Sequence, residues 1–255
     1  MRLAVSQISW NTNEDACGLD LLLRKGILDW EAVPFRIQLS DRPMGLRIGA
    51  FQSLMFGTTG MNLFDEDSWP AFFELLSRQF HIASCLGFRP LVFGSPSQRH
   101  IPDSLANDVA RLRALEFFRI VGQLAVEESC ILLLEPSPRI YGGNFLLTHQ
   151  ETDDFVEEVA SPGIGLHWDT GALLAEESLD WTFIKRLSNP SHVHLSLPFL
   201  SGDYERHVAF FRIFLNELDR RSYSGLISIE MKGGSMGLVD VERVIDFFAR
   251  LLRGE

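Results

Sequence analysis

The sequence predicts one domain, a single (β/α)8 barrel of the TIM type spanning residues 1–255. Two features lead there. Short apolar runs alternate with longer amphipathic stretches from end to end, the pattern of parallel strands buried on both faces and covered by helices. The first run is followed by Ile8-Ser9-Trp10-Asn11, with no GxGxxG. The glycine-rich phosphate turn of a doubly wound open sheet is therefore missing.

Strands are expected at Leu3–Gln7, Ile27–Val33, Leu46–Phe51, Pro90–Phe93, Ile131–Glu135, Ile164–Asp169, His192–Ser196 and Leu226–Glu230. Several are too short for periodicity alone to separate them from helix; their β-branched residues and flanking Gly and Pro decide. Glu14–Arg24 supplies the first helix. After the second strand, residues 36–45 hold Pro43 and Gly45 and leave little room for a helix, so the second β/α unit is expected to be degenerate. Trp69–Leu86 places Phe72, Leu75, Leu76 and Phe80 at helical spacing, and Ser104–Glu127 does the same with Leu112, Leu115, Phe118 and Val121. The remaining helices are expected at His149–Val159, Leu179–Leu187, Asp203–Arg220 and Leu238–Leu252.

Composition narrows the partners. The chain carries 23 basic and 34 acidic residues, a formal charge of −11, which argues against a nucleic acid or an anionic membrane as main partner. No apolar run approaches the roughly 18 residues of a membrane span, and the apolar N-terminal stretch is too short for a signal peptide. A soluble cytoplasmic protein is expected, with homo-oligomerisation left open. Cys17, Cys85 and Cys130 form no CxxC pair. They suggest a reducing compartment and read as small buried apolar residues rather than a disulfide framework or zinc site.

Chemistry in such a barrel gathers at the C-terminal ends of the strands. The last four runs close on Glu135, Asp169, His194-Leu195-Ser196 and Glu230. Any one carboxylate there can simply cap the next helix, and Asp169, followed by Thr170-Gly171-Ala172, is placed to do so. A lone histidine in an apolar strand is usually a hydrogen-bonded core residue. Four such groups on successive strands fit a metal site better. Residues two apart in a strand share a face, so Glu135, Asp169, His194 and Glu230 form one inward layer. His167 and His192 lie one layer deeper and Lys232 one layer higher. The deeper histidines suit ligand orientation or core burial. Three carboxylates and one imidazole favour Mn²⁺, Mg²⁺ or Co²⁺, with Zn²⁺ possible. Such an ion can hold two neighbouring oxygens of a polyol or hydroxyketone, and the flanking glutamates Glu135 and Glu230 can act as base and acid. Lys232, Tyr141, Asn144 and Arg139, with His167 and His192, complete the candidate substrate-binding set. Arg99 and Lys185 are the other cations considered, Arg99 for the mouth or a solvated loop and Lys185 for a helix surface.

These residues, with Leu91-Val92-Phe93-Gly94-Ser95-Pro96, Leu134-Glu135-Pro136, Tyr141-Gly142-Gly143-Asn144-Phe145 and Gly165-Leu166-His167-Trp168-Asp169, make the chain resemble the xylose isomerase-like superfamily, in its sugar phosphate isomerase/epimerase branch. The resemblance implies one divalent ion on Glu135, Asp169, His194 and Glu230, with both glutamates as acid–base residues and a small carbohydrate as substrate. Three positions depart from the ketose 3-epimerases of that superfamily. Tyr141 stands where they have a second glutamate, Ala172 where they have a histidine, and Leu200 where they have an arginine. The resemblance thus implies an isomerase or epimerase of a small sugar, sugar acid or sugar phosphate, working through an enediolate, but not a free-ketose epimerase. The alternatives are a metal-assisted dehydratase of a polyol-like substrate and a non-catalytic barrel that keeps a metal or ligand site.

Overall fold

The apolar runs form eight strands, β1 (Arg2–Ser6), β2 (Asp29–Ala32), β3 (Arg47–Phe51), β4 (Pro90–Phe93), β5 (Ile131–Leu134), β6 (Ile164–Asp169), β7 (His192–Leu195) and β8 (Leu226–Ile229). All pair in parallel, each with its sequence neighbours, and β8 closes back onto β1. The structure, a computed structural model, describes residues 1–37, 44–176, 181–232 and 237–255, without the side chain of Phe183.

The helices are α1 (Asp15–Arg24), α2 (Trp69–Leu86), α3 (Asn107–Glu127), α4 (His149–Val159), α5 (Thr170–Glu176), α6 (Trp181–Ile184), α7 (Val208–Arg220) and α8 (Gly237–Leu252). Between β2 and β3 the described residues hold only a 3-10 turn, Pro34–Arg36. Pro43 and Leu179, on which two sequence expectations rest, lie outside the described residues. The helices expected from Ser104 and Asp203 start later, at Asn107 and Val208. A 3-10 turn at Tyr204–His207 leads into the second of these. The short helix α5 follows β6 directly, where the sequence places Asp169 to cap a helix.

Local chemistry sets the boundaries. Thr148 accepts the Glu151 amide at 3.1 Å while the Glu151 carboxylate accepts the Leu147 amide at 2.7 Å, stapling the start of α4. Gly87, at φ +79°, ends α2 in the left-handed conformation that a residue without Cβ adopts freely. Phe72, Phe117 and Phe118 interlock α2 with α3, with ring centroids 5.2 Å apart in each contact. Phe211, Phe248 and Tyr204 do the same for α7 and α8. Each such side chain contributes about 1.5–3 kcal/mol by burial, so the helical shell holds the strand ends in fixed register. Cys130 is buried as expected, whereas Cys17 and Cys85 are exposed. Cys17 lies on α1 and Cys85 on α2, both outer helices, where no core packing acts on the thiol. Among the described residues no helix is long and apolar enough to cross a membrane.

Candidate functional site

Strand register assembles the site. Asp169 pairs with His194 across β6 and β7, His167 pairs with His192 one step below, and His194 pairs with Ser228 on β8. One donor atom from each of Glu135, Asp169, His194 and Glu230 lies within 4.8 Å of the others. His194 Nδ1 sits at the centre, 3.3 Å from Glu230 Oε2, 3.7 Å from Glu135 Oε1 and 4.0 Å from Asp169 Oδ2. It is buried and has no hydrogen-bond partner of its own.

The ring is turned that way by a residue the sequence reading missed. Glu31, fully buried on β2, holds His194 Nε2 with both carboxylate oxygens, at 2.9 and 3.0 Å. The register between β2 and β3 shifts between Trp30 and Glu31, the kind of irregularity that re-aims a side chain. Burial alone would push His194 down, but Glu31 and Glu230 outweigh it and hold the imidazole well above its ordinary value. Burial likewise opposes the Glu31 charge, and His194 and His192 overcome it, keeping the carboxylate below its usual range. A signal for Glu31 existed: a carboxylate inside Ile27–Val33 cannot be buried in a parallel strand without a partner.

Each carboxylate is separately positioned. Asp169 caps α5, accepting the Ala172 amide at 2.5 Å through Oδ1, while Oδ2 accepts the Ser196 hydroxyl at 2.6 Å. Its own amide donates to His149 Nε2 at 3.0 Å. Helix cap and site residue are therefore the same side chain. Burial, with Glu135 and Glu230 nearby, pushes the Asp169 carboxyl up to about 7. Burial raises Glu230 as well, against the pull of His194. Glu135 depends on Gly94: a Cβ there would stand 2.4 Å from Glu135 Oε2. The Tyr204 hydroxyl, 2.7 Å from the Glu230 carbonyl and 3.0 Å from that of Leu195, ties the ends of β7 and β8 together.

The carboxylates open into a cavity of about 220 Å³ that Tyr141, Ala172 and Leu200 also line. Leu200 arrives there on a strained turn. Phe199 and Leu200 both have left-handed backbones, φ +59° and +54°, a conformation costing a non-glycine residue on the order of 1–3 kcal/mol. Three hydrogen bonds hold it: Phe199 N–H to the Tyr141 hydroxyl at 2.8 Å, Leu200 N–H to the Leu197 carbonyl at 2.8 Å, and Lys232 N–H to the Leu200 carbonyl at 2.9 Å. Burial pushes the Tyr141 phenol up to about 12, so it stays a neutral donor.

The other candidates lie elsewhere. His167 and His192 are fully buried beneath the donor cluster, stacked at 5.2 Å, with His167 edge-on to His194 at 4.2 Å. Burial drives His167 well below its ordinary value and His192 to about 4, so both are neutral spacers under the charged layer. Neither lines the cavity, nor does Lys232, whose side chain is exposed. Asn144 clamps Ile101, accepting its amide at 2.8 Å and donating to its carbonyl at 2.9 Å, and so joins the loops after β4 and β5. Arg139 is exposed and faces Glu176 at 3.6 Å. Arg99 reaches neither the mouth nor a solvated loop. It is buried, donates to the Glu135 carbonyl at 2.8 Å and lies 5.7 Å from the Phe93 ring centre. Lys185 is exposed just beyond α6.

An unpartnered buried imidazole nitrogen facing three crowded carboxylates is what a cation-binding set presents, and oxygen-rich donors with one imidazole fit a hard divalent ion.

Solved structures share this architecture. D-psicose 3-epimerase from Clostridium cellulolyticum H10, determined with D-tagatose, is 16% identical with a TM-score of 0.74, over 99% of both chains. The 3-keto-D-glucoside 4-epimerase from E. coli is 15% identical, TM-score 0.74, again over 99% of both. A family 2 AP endonuclease from Brucella melitensis is 18% identical, TM-score 0.75, over 98% of both. At these identities the likeness concerns the fold. No curated protein matches the chain by sequence. Residues 22–251 match the profile of the xylose isomerase-like TIM barrel, and the chain belongs to that family.

Proposed function

We propose that this protein is a divalent-metal-dependent isomerase or epimerase of a small carbohydrate. The observation that carries the reading is the disposition of Glu135 and Glu230 at one cavity, each with an oxygen within 4 Å of the unpartnered Nδ1 of His194. Glu135, Asp169, His194 and Glu230 would hold the ion, with Mn²⁺, Mg²⁺ or Co²⁺ favoured by the donor set. When bound, it supplies positive charge beside two vicinal oxygens of the substrate, lowering the cost of an enediolate. One glutamate takes the carbon-bound proton next to the carbonyl and the other returns a proton from the opposite side. Gly94 leaves space for Glu135 Oε2, so this carboxylate can serve the cavity as well as the ion. The epimerase names among the structural relatives agree with this chemistry.

Solvent deuterium tests it. Turnover in D₂O should place label at one carbon, because a carboxylate base shares its proton with water. A direct carbon-to-carbon transfer of substrate label without solvent label would demote both glutamates to plain ligands, and a dehydrated product would identify a dehydratase. Joint Glu135→Gln and Glu230→Gln replacement should strip the ion or abolish turnover. Side-by-side metal analysis and activity assay of that variant decide whether the carboxylates matter.

A further inference from the structure

We propose that the substrate is a neutral α-hydroxycarbonyl compound whose end away from the ion is unoxygenated, a deoxy or methyl-terminated sugar rather than a fully hydroxylated sugar, a sugar acid or a sugar phosphate. This deepens the metal-dependent reading above and rests on it.

Charge is the first argument. Among the described residues the cavity lining carries three carboxylates, Glu135, Asp169 and Glu230, and no basic side chain. With a divalent ion the balance is −3 + 2 = −1. A phosphate or carboxylate on the substrate would add negative charge to a negative site with no basic side chain among the described lining residues to meet it. The cations that sequence reading set aside for this task are elsewhere: Arg139 beside Glu176, Lys232 in solvent, Arg99 beneath the Glu135 backbone.

The second argument is the wall. Besides the charged groups the lining includes Pro96, Pro136, Pro138, Ala172 and Leu200, side chains that neither donate nor accept hydrogen bonds. Of the two serines in the lining, the hydroxyl of Ser196 is spent on Asp169 and on the Gly171 amide, at 2.6 and 2.9 Å. Ser95 remains to serve a ligand, with the O–H of Tyr141, whose oxygen already accepts the Phe199 amide. At about 220 Å³ the space is smaller than the roughly 300–1,000 Å³ of drug-sized sites. A small sugar therefore meets the wall directly, without a water layer to satisfy its distal hydroxyls. A hydroxyl desolvated there loses its hydrogen bonds, whereas a methyl group loses nothing. The left-handed backbone at Phe199 and Leu200 gives the third argument. Strain held in place by three hydrogen bonds presents an apolar side chain to the cavity, and strained loops of this kind gather where a ligand is recognised.

Calorimetric titration of the Mn²⁺-loaded protein tests the assignment, with a 6-deoxyhexulose, its 6-hydroxy parent, the 6-phosphate of that parent and the corresponding sugar acid. The deoxy compound should bind about 10–100-fold more tightly than its parent, the range by which an apolar pocket discriminates at a single group, and the two anions should bind more weakly than either. Ratios of kcat/KM should follow. Leu200→Asn keeps the side-chain size, suits the left-handed backbone and should collapse or invert the preference while leaving Mn²⁺ affinity unchanged. Preference for the parent or for an anion, or a preference that Leu200→Asn does not move, overturns the substrate assignment and leaves the isomerase reading standing. Failure of the Mn²⁺-loaded protein to bind any of the four overturns both.

Discussion

Glu31 makes the sharpest prediction because it lies outside the cavity lining and acts on the site through His194. Its carboxylate is fully buried, its partner ring is 1% exposed, and the two hydrogen bonds to Nε2 are 2.9 and 3.0 Å. Glu31→Ala leaves a buried imidazole without its counter-charge, a loss of about 3–5 kcal/mol for a broken buried pair. At about 2–4 °C per kcal/mol in a chain of this size, the apparent Tm should fall by roughly 6–20 °C. Glu31→Gln keeps the shape and one acceptor but removes the charge, and should cost about 1–3 kcal/mol. The more telling measurement is metal affinity. Without Glu31 the ring can rotate or carry its proton on Nδ1, so the dissociation constant should rise about 10–100-fold in Glu31→Gln, the usual cost of losing a carboxylate behind a ligating histidine. Thermal unfolding in chelator and competition titration with a chromophoric chelator report the two effects separately. If Glu31→Gln binds the ion as tightly as the parent protein, Glu31 does not set the ring and its burial needs another explanation.

The remaining predictions follow from the same geometry. Gly94→Ala puts a methyl group 2.4 Å from where Glu135 Oε2 now lies; since the far end of a side chain can yield, the fold should survive, but a displaced carboxylate should cost about 100-fold in kcat with little change in Tm. Metal binding should tighten as pH rises, because Asp169, pushed up to about 7, must lose its proton to ligate; isothermal titration in buffers of different ionisation enthalpy should register at least one proton released per ion near pH 6. Stability of the metal-free protein should move the opposite way. Asp169, Glu230 and His194 are all raised in the fold, so their stabilisation is complete below their unfolded values and is lost as pH rises through the folded ones. Chelator-treated protein should therefore melt at a lower temperature at pH 8 than at pH 6, and a saturating divalent ion should narrow that gap.

The strands were legible because they are buried on both faces and so read as apolar runs with punctuation at each end. The convergence of Glu135, Asp169, His194 and Glu230 was legible because parallel register in a barrel brings strand ends to one rim, so that chain order alone predicts proximity. Glu31 escaped because it sits within its run rather than at the end, between Trp30 and Ala32, and because its partner is 163 residues away; only the closing of β8 onto β1 brings β2 near β7. Arg99 escaped for a related reason. A polar residue after a Gly-Ser-Pro turn suggests solvent, and nothing local reveals that its guanidinium folds under Glu135. Residues whose role depends on loop conformation, such as Asn144 and Arg139, were placed by composition at the mouth, but backbone contacts with Ile101 and a charge on Glu176 claim them first.

The barrel thus divides its labour by backbone type. The proposed metal donors stand on or just past strands, where eight mutually paired segments fix positions closely, and three of the four have a dedicated neighbour: Gly94 for Glu135, Ser196 for Asp169, Glu31 for His194. The selectivity proposed above stands beyond the strand ends. Tyr141, Ala172 and Leu200 come from three different βα connections, and all three are the positions at which the chain departs from the ketose 3-epimerases it resembles. Were those departures the residue of decay, there would be no reason for them to remain coupled. Yet the Tyr141 hydroxyl caps the Phe199 amide at 2.8 Å, the Tyr141 ring packs edge-on against Phe199 at 5.9 Å, and the turn so held delivers Leu200 to the cavity that Tyr141 also lines. A hydroxyl spent on holding an energetically costly turn in place is a built feature. Tyr141→Phe should accordingly loosen the apolar wall, weakening the discrimination between deoxy and hydroxylated ligands while leaving metal affinity untouched, whereas loss of metal affinity in that variant would mean that wall and metal cage are one unit rather than two.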